Sequence, residues 1–161
     1  LLRAAAIGGG GLLIAWPIVV SVTTVAALVV VATGGAVPEA IAHRTLALIA
    51  EDPFAPAALG MILLVTLIVP WIEEVVYRGM LQRGLVQAGL GRWPAIGLVA
   101  GFFALRHLGV AEPHAIAGLF VLGLAFGLVL ERTGRLTAAV TMHAAFNAGN
   151  VLLAVMSSSP A

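Results

Sequence analysis

Ile72-Glu73-Glu74-Val75-Val76-Tyr77-Arg78-Gly79 closes an apolar run that begins at Pro53 and carries no charge before Glu73. A run of that length reads as part of a membrane-spanning helix, so two adjacent carboxylates and an arginine arrive where lipid makes ions costly. At ~100° per residue, Glu74 and Arg78 share a helix face and can pair, while Glu73 points about 100° away from Glu74, toward Tyr77 and another helix. The ion pair explains one carboxylate and leaves Glu73 over.

Composition extends this reading to the whole chain. Of 161 residues, 61% are hydrophobic and only 9% charged, with a mean hydropathy of +1.13; a soluble domain carries about a quarter charged residues. The chain is therefore expected to be an integral membrane protein. It has no cysteine, which excludes disulfides and thiolate chemistry and leaves only His, Asp and Glu as metal ligands. The net charge is +1, and scattered arginines without aromatic interleaving give no support for a nucleic-acid partner.

Outward from Glu73 the chain divides into five apolar runs: Ala4–Pro38, Pro53–Ile72 with a helical continuation to about Arg83, Trp93–Leu105, Pro113–Leu130 and Leu136–Met156. The first has Gly8–Gly11 at its start and Pro17 as an expected kink. It is too long for a signal peptide and leads into further apolar runs, so it reads as a true span. The start at Leu1 rather than Met suggests a trimmed end or a piece of a longer protein. Residues 34–52 form the one extended polar connector, in which Glu39–Ala50 is expected to be a short interfacial helix. The third run is only 13 residues long, so to span at all it takes Arg106 and His107 into or near the hydrocarbon. In the fourth, Gly123-x-x-x-Gly127 is a small-residue packing face.

The fold expected is thus an all-α polytopic transmembrane bundle of about five spans with an active site between the last four. Residues 1–52 supply the N-terminal span and connector, and residues 53–161 the catalytic core. If the runs alternate, Arg3, Arg83, Arg92, Arg132 and Arg135 fall on one side, which the positive-inside bias makes cytoplasmic together with the N-terminus. The oligomeric state is not legible.

Depth then compares the polar groups that the runs cannot explain. At ~1.5 Å per residue, Glu73 lies about 15 Å deep, His107 about 20 Å, and His143 and Asn147 about 12 and 18 Å, all near the middle of a ~30 Å slab. His143 and Asn147 share a face, as do Phe103 and His107. A desolvated carboxylate beside a histidine can take a proton from water and return it to a leaving amine. Histidine and asparagine N–H groups opposite it can hold the oxyanion of an attacked amide. The same atoms also fit a second arrangement, with Glu73, His107 and His143 as zinc ligands, although the local H-E-x-x-H spacing is absent.

Glu73-Glu74-x-x-x-Arg78, Phe103-x-x-x-His107 and His143-x-x-x-Asn147, in that order on three successive polar-bearing helices, resemble the CPBP (Abi) family. That family comprises type II CAAX prenyl endopeptidases and bacteriocin-processing or bacteriocin-immunity proteins. The likeness covers roughly residues 56–156. It implies an intramembrane endopeptidase, a hydrolase of the prokaryotic cell membrane acting on a membrane-associated peptide or protein, prenylated or leader-like. Glu73 and His107 would activate water, and His143 and Asn147 would stabilise the oxyanion. Glu74, Arg78, Tyr77 and Phe103 would be structural or substrate-binding. The family has been described both as metalloproteases and as metal-free glutamate proteases. The metal-free reading, with no cofactor, is preferred because Asn147 is a poor zinc ligand and a good oxyanion donor. The chain is shorter than is usual for prenyl-protein endopeptidases of this family. The rival expectation is a non-catalytic immunity factor or scaffold using the same polar cluster for packing. His43 and His114 are read as solvated, and Arg106 as snorkelling or paired with Glu112.

Overall fold

The computed structural model describes residues 2–38 and 41–158. Six helices follow one another: α1 (Leu2–Ala32), α2 (Arg44–Glu51), α3 (Pro56–Gln87), α4 (Arg92–Leu105), α5 (Pro113–Thr133) and α6 (Leu136–Ser158). Among the described residues there are no strands beyond isolated bridges. Four helices, α1, α3, α5 and α6, are long and apolar enough to cross a membrane. The expected fifth span is α4, whose 14 residues reach only about 21 Å. The chain turns immediately after Leu105, so His107 lies on the turn below the helix rather than within it.

Counting α4, the five longer helices α1, α3, α4, α5 and α6 alternate in direction, so α3 and α5 run in the same sense. Gly8 and Gly149 show α1 running alongside α6 in the same sense, the first against Ala138 and Met142, the second against Trp16. Gly118 lies against Val19 and Thr23 while Gly11 meets Val129, so α5 runs against α1. The Gly123-x-x-x-Gly127 face behaves as expected. A Cβ on Gly123 would stand 3.0 Å from the Ala100 Cα, so α4 and α5 approach backbone to backbone there, and one on Gly127 would meet the side chains of Gln82 at 2.8 Å and Ile96 at 3.0 Å. The two glycine carbonyls serve a second contact: Arg78 Nη2 donates to Gly123 O at 2.9 Å, and Gln82 Nε2 to Gly127 O at 3.2 Å. Two donors four apart on α3 thereby lock onto two carbonyls four apart on α5.

Helix α1 passes through Pro17 as one element, and it presents Leu13, Ile14 and Leu28 outward. Such a face has no favourable partner in water and a good one in lipid. The interfacial helix is narrower than expected, Arg44–Glu51; Glu39 and Ala40 lie outside the described residues. Its inward face buries Ile49 and Ala50.

The helix bearing Glu73 is irregular for a reason written in its sequence. Pro70 has no N–H to give to the preceding turn, and α3 widens into π-helical turns at Leu64–Ile68 and again at Val75–Gln82. Val69 N–H bonds back to Leu64 O rather than to Val65 O. Together, the widened turn and the proline leave the Val65 carbonyl without a donor from its own helix. Widened turns of this kind concentrate at functional sites.

Candidate active site

Asn147 occupies that vacancy, its Nδ2 donating to Val65 O at 2.8 Å. One amide hydrogen is thus spent on positioning, and the second is left for the space in front of it. One turn earlier on α6, His143 is buried and engaged on both ring nitrogens. Nδ1 lies 2.9 Å from Glu74 Oε1, and Nε2 lies 3.7 Å from Glu73 Oε2. The adjacent carboxylates therefore grip one imidazole from two sides, which their ~100° separation on the helix allows.

Glu74 does more than the ion pair requires. Its Oε1 accepts from Arg78 Nη1 at 3.1 Å as well as contacting His143, and both Glu74 and Arg78 are fully buried. The guanidinium also lies against two rings, its carbon 4.9 Å from the Phe103 centroid and 5.1 Å from that of Phe126, a favourable arrangement for a desolvated cation. Phe126 stacks on His143 at 4.7 Å, and Phe103 meets the same imidazole edge-on at 5.7 Å. Tyr77 packs edge-on against Phe103 at 5.6 Å.

His107 comes from α4's terminal turn. Its Nδ1 is 2.8 Å from Phe103 O. A carbonyl only accepts, so Nδ1 carries the hydrogen and Nε2 keeps its lone pair. This is the tautomer a general base or a metal ligand requires.

Glu73, His107, His143 and Asn147 all line one cavity of about 490 Å³, with Phe103 in the same wall. Glu74, Arg78 and Tyr77 do not line it; they stand behind the wall. The cavity is not confined to the last four spans, because Val19 and Thr23 of α1 and Ile41, Ala42, His43, Thr45 and Leu46 also face it. From Glu73 and His143 it runs along α6 past Asn150 to Ser157, away from the end that carries Arg83, Arg92, Arg132 and Arg135. The zinc alternative finds no assembled ligand shell: among the described residues, no three His, Asp or Glu side chains are grouped to hold a metal ion.

Three expectations change. His114 is buried rather than solvated. Of the two readings of Arg106, the pairing with Glu112 fails among the described residues: the side chain is exposed and lies beside the Tyr77 hydroxyl. His43 faces the cavity, its ring centroid 6.2 Å from that of His107. Burial, with the charge of His107 added, holds its pKa below the ordinary imidazole value. No local signal marks His43, because its contact arises across some 60 residues of chain.

Fold and cavity define a class, a polytopic helical membrane protein with an acid, two imidazoles and an amide around an internal space. Residues 55–149 match the family described as type II CAAX prenyl endopeptidase Rce1-like. The chain belongs to this family of CAAX-type intramembrane proteases. No curated protein and no solved structure matches it.

Proposed function

We propose that the chain hydrolyses a peptide bond of a membrane-associated peptide, of the prenylated CAAX type or a leader, by a metal-free glutamate mechanism. One observation carries this reading: Glu73, His107, His143 and Asn147, drawn from two helices and the turn after a third, line the same cavity. Glu73, helped by the Nε2 lone pair of His107, takes a proton from a water, and the resulting hydroxide adds to the scissile carbonyl. The carbonyl π electrons move to oxygen, and this oxyanion accepts from the second Nδ2–H of Asn147 and from His143 Nε2. His143 gives its Nδ1–H to Glu74, so it serves the oxyanion in its imidazolium form. As the C–N bond breaks, Glu73 returns the proton to the amine, leaving one new acid and one new amine with atoms and charge balanced.

The test uses purified protein in lipid nanodiscs and a farnesylated CAAX-type peptide, with the released C-terminal fragment read by mass spectrometry. Glu73→Gln, Glu73→Ala and His107→Ala are each expected to abolish release while keeping the parent's thermal transition. Activity is expected to survive chelation; its loss on chelation and return with zinc would overturn the metal-free assignment. Survival of the biological phenotype in Glu73→Gln would instead favour a non-catalytic immunity or scaffold role, since the amide keeps shape and much of the hydrogen bonding. Positive-inside bias places the arginine-rich end, and the N-terminus with it, in the cytoplasm. Single cysteines introduced beside Arg44 and Arg135 and labelled from one side test that placement and show from which face a peptide enters.

A further inference from the structure

His43 lies outside the segment matched by the family, residues 55–149, so any role for it belongs to this chain's own connector. The connector is fastened over the cavity by backbone hydrogen bonds to the turn that follows α4. Arg44 N donates to Val110 O at 3.0 Å, and Glu112 N donates to Ala42 O at 2.8 Å. Between these two bonds stands His43, whose Nδ1 accepts from Thr45 N–H at 3.3 Å and so caps α2. An Nδ1 that accepts carries no hydrogen, which puts the imidazole proton on Nε2 and makes that atom a donor. Among the described residues nothing accepts from it, although the residue faces the cavity. Ile41, Leu46, Leu119 and Leu153 make the surrounding wall apolar. A peptide entering such a space gives up water around every carbonyl and needs donors in return.

We propose that His43 is a substrate-positioning residue, whose Nε2–H donates to a main-chain carbonyl of the peptide held in the cavity beside His107. The connector is then part of the binding site, a strap that delivers one donor to the wall facing α6. Asn147 holds the reacting carbonyl, and His43 holds another, so the peptide is fixed at two points in the cavity that Glu73 also lines. This inference rests on the reading of the cavity as a peptidase site, and its test separates the two.

A fluorescent farnesylated CAAX-type peptide is titrated onto Glu73→Gln protein in nanodiscs, where no turnover occurs. The same titration follows with His43→Ala, His43→Phe and His43→Gln added singly to that background. His43→Ala and His43→Phe are expected to weaken binding roughly tenfold, the scale of one hydrogen bond lost from an apolar cavity. His43→Gln, which keeps an N–H near the Nε2 position, is expected to bind within about threefold of the parent. The phenylalanine keeps the ring's bulk, so it decides the matter if the alanine variant loses its thermal transition. In the otherwise unmodified enzyme, the loss is expected in KM with kcat nearly unchanged. Equal affinity for parent and His43→Phe would overturn the inference, as would equal losses in His43→Gln and His43→Phe. Absence of any binding to Glu73→Gln protein would overturn it as well. Binding without cleavage by the parent would sink the peptidase reading alone, and the His43 series would still decide the donor.

Discussion

Glu73 and Glu74 show how neighbours in sequence acquire different work. Glu74 is fully buried with Arg78 and His143 on one oxygen, whereas Glu73 reaches the cavity. Removing Arg78 takes the permanent counter-charge from a fully buried carboxylate and leaves it only His143, so Arg78→Ala is expected to cost about 3–5 kcal/mol of stability, seen as a large drop in the denaturation midpoint in detergent. Glu73→Gln, made at the edge of a cavity, should leave that midpoint within experimental scatter; an equal drop would contradict the division of labour. Asn147→Ala removes the proposed oxyanion donor and is expected to lower kcat by about 10²–10³-fold with KM little changed. The ion pair was legible from the i, i+4 spacing. That Glu74 also grips His143 was not, because the two lie 69 positions apart.

Helix α3 and the connector are the elements whose irregularity matters. Pro70 frees the Val65 carbonyl, and Asn147 takes it. Pro70→Ala returns an N–H to that turn, so it is expected to compete with Asn147, straighten the wide turn and lower kcat roughly tenfold by misplacing one donor. Single-turnover cleavage measures this; unchanged kcat would mean that the proline has no part in placing the amide. In the connector, His43 caps α2 only as a neutral acceptor, and burial beside His107 keeps its pKa below the ordinary value. When the connector is released, His43 takes up a proton near pH 6.5, and the fastened form does so only at lower pH. Protons thus favour release, and the strap's stability is full above pH 6.5 and declines as pH falls below it. Hydrogen exchange at the Thr45 amide, corrected for its intrinsic pH dependence, should therefore lose protection from pH 7.5 to 5.5.

The molecule as a whole is an alternating bundle whose exterior is made for lipid, with Glu74, Arg78, Gln82 and His143 buried inside it. Close approach is what brings the three polar-bearing helices together. Gly123 faces Ala100 with no room for a Cβ, and its carbonyl also receives Arg78. Gly123→Val is expected to push α4 from α5, shift Phe103 and His107 together, and reduce both stability and activity, whereas Gly97→Val, at a position with open space, should do neither. Denaturation midpoints and cleavage rates of the two variants provide the comparison. Both substitutions put a β-branched residue into a helix of the same bundle, and only the one at Gly123 meets a neighbour, so a similar outcome for the two would rule out the close-packing account.

Hydrophobicity along one chain is a local property, and it was enough to define a helical membrane bundle, the runs that form it and the small-residue face of α5. Charges out of place in those runs, Glu73, His107 and His143 with Asn147, were equally visible, because an ionisable or amide group in lipid is conspicuous wherever it occurs. Tertiary structure alone decided that the chain turns after Leu105 and leaves His107 outside α4, that α1 and the connector share the cavity, and that His43 stands beside His107. Those facts depend on backbone turns and on contacts between distant segments. Their energies come from packing and hydrogen bonds across helices, and no spacing within a single helix encodes them.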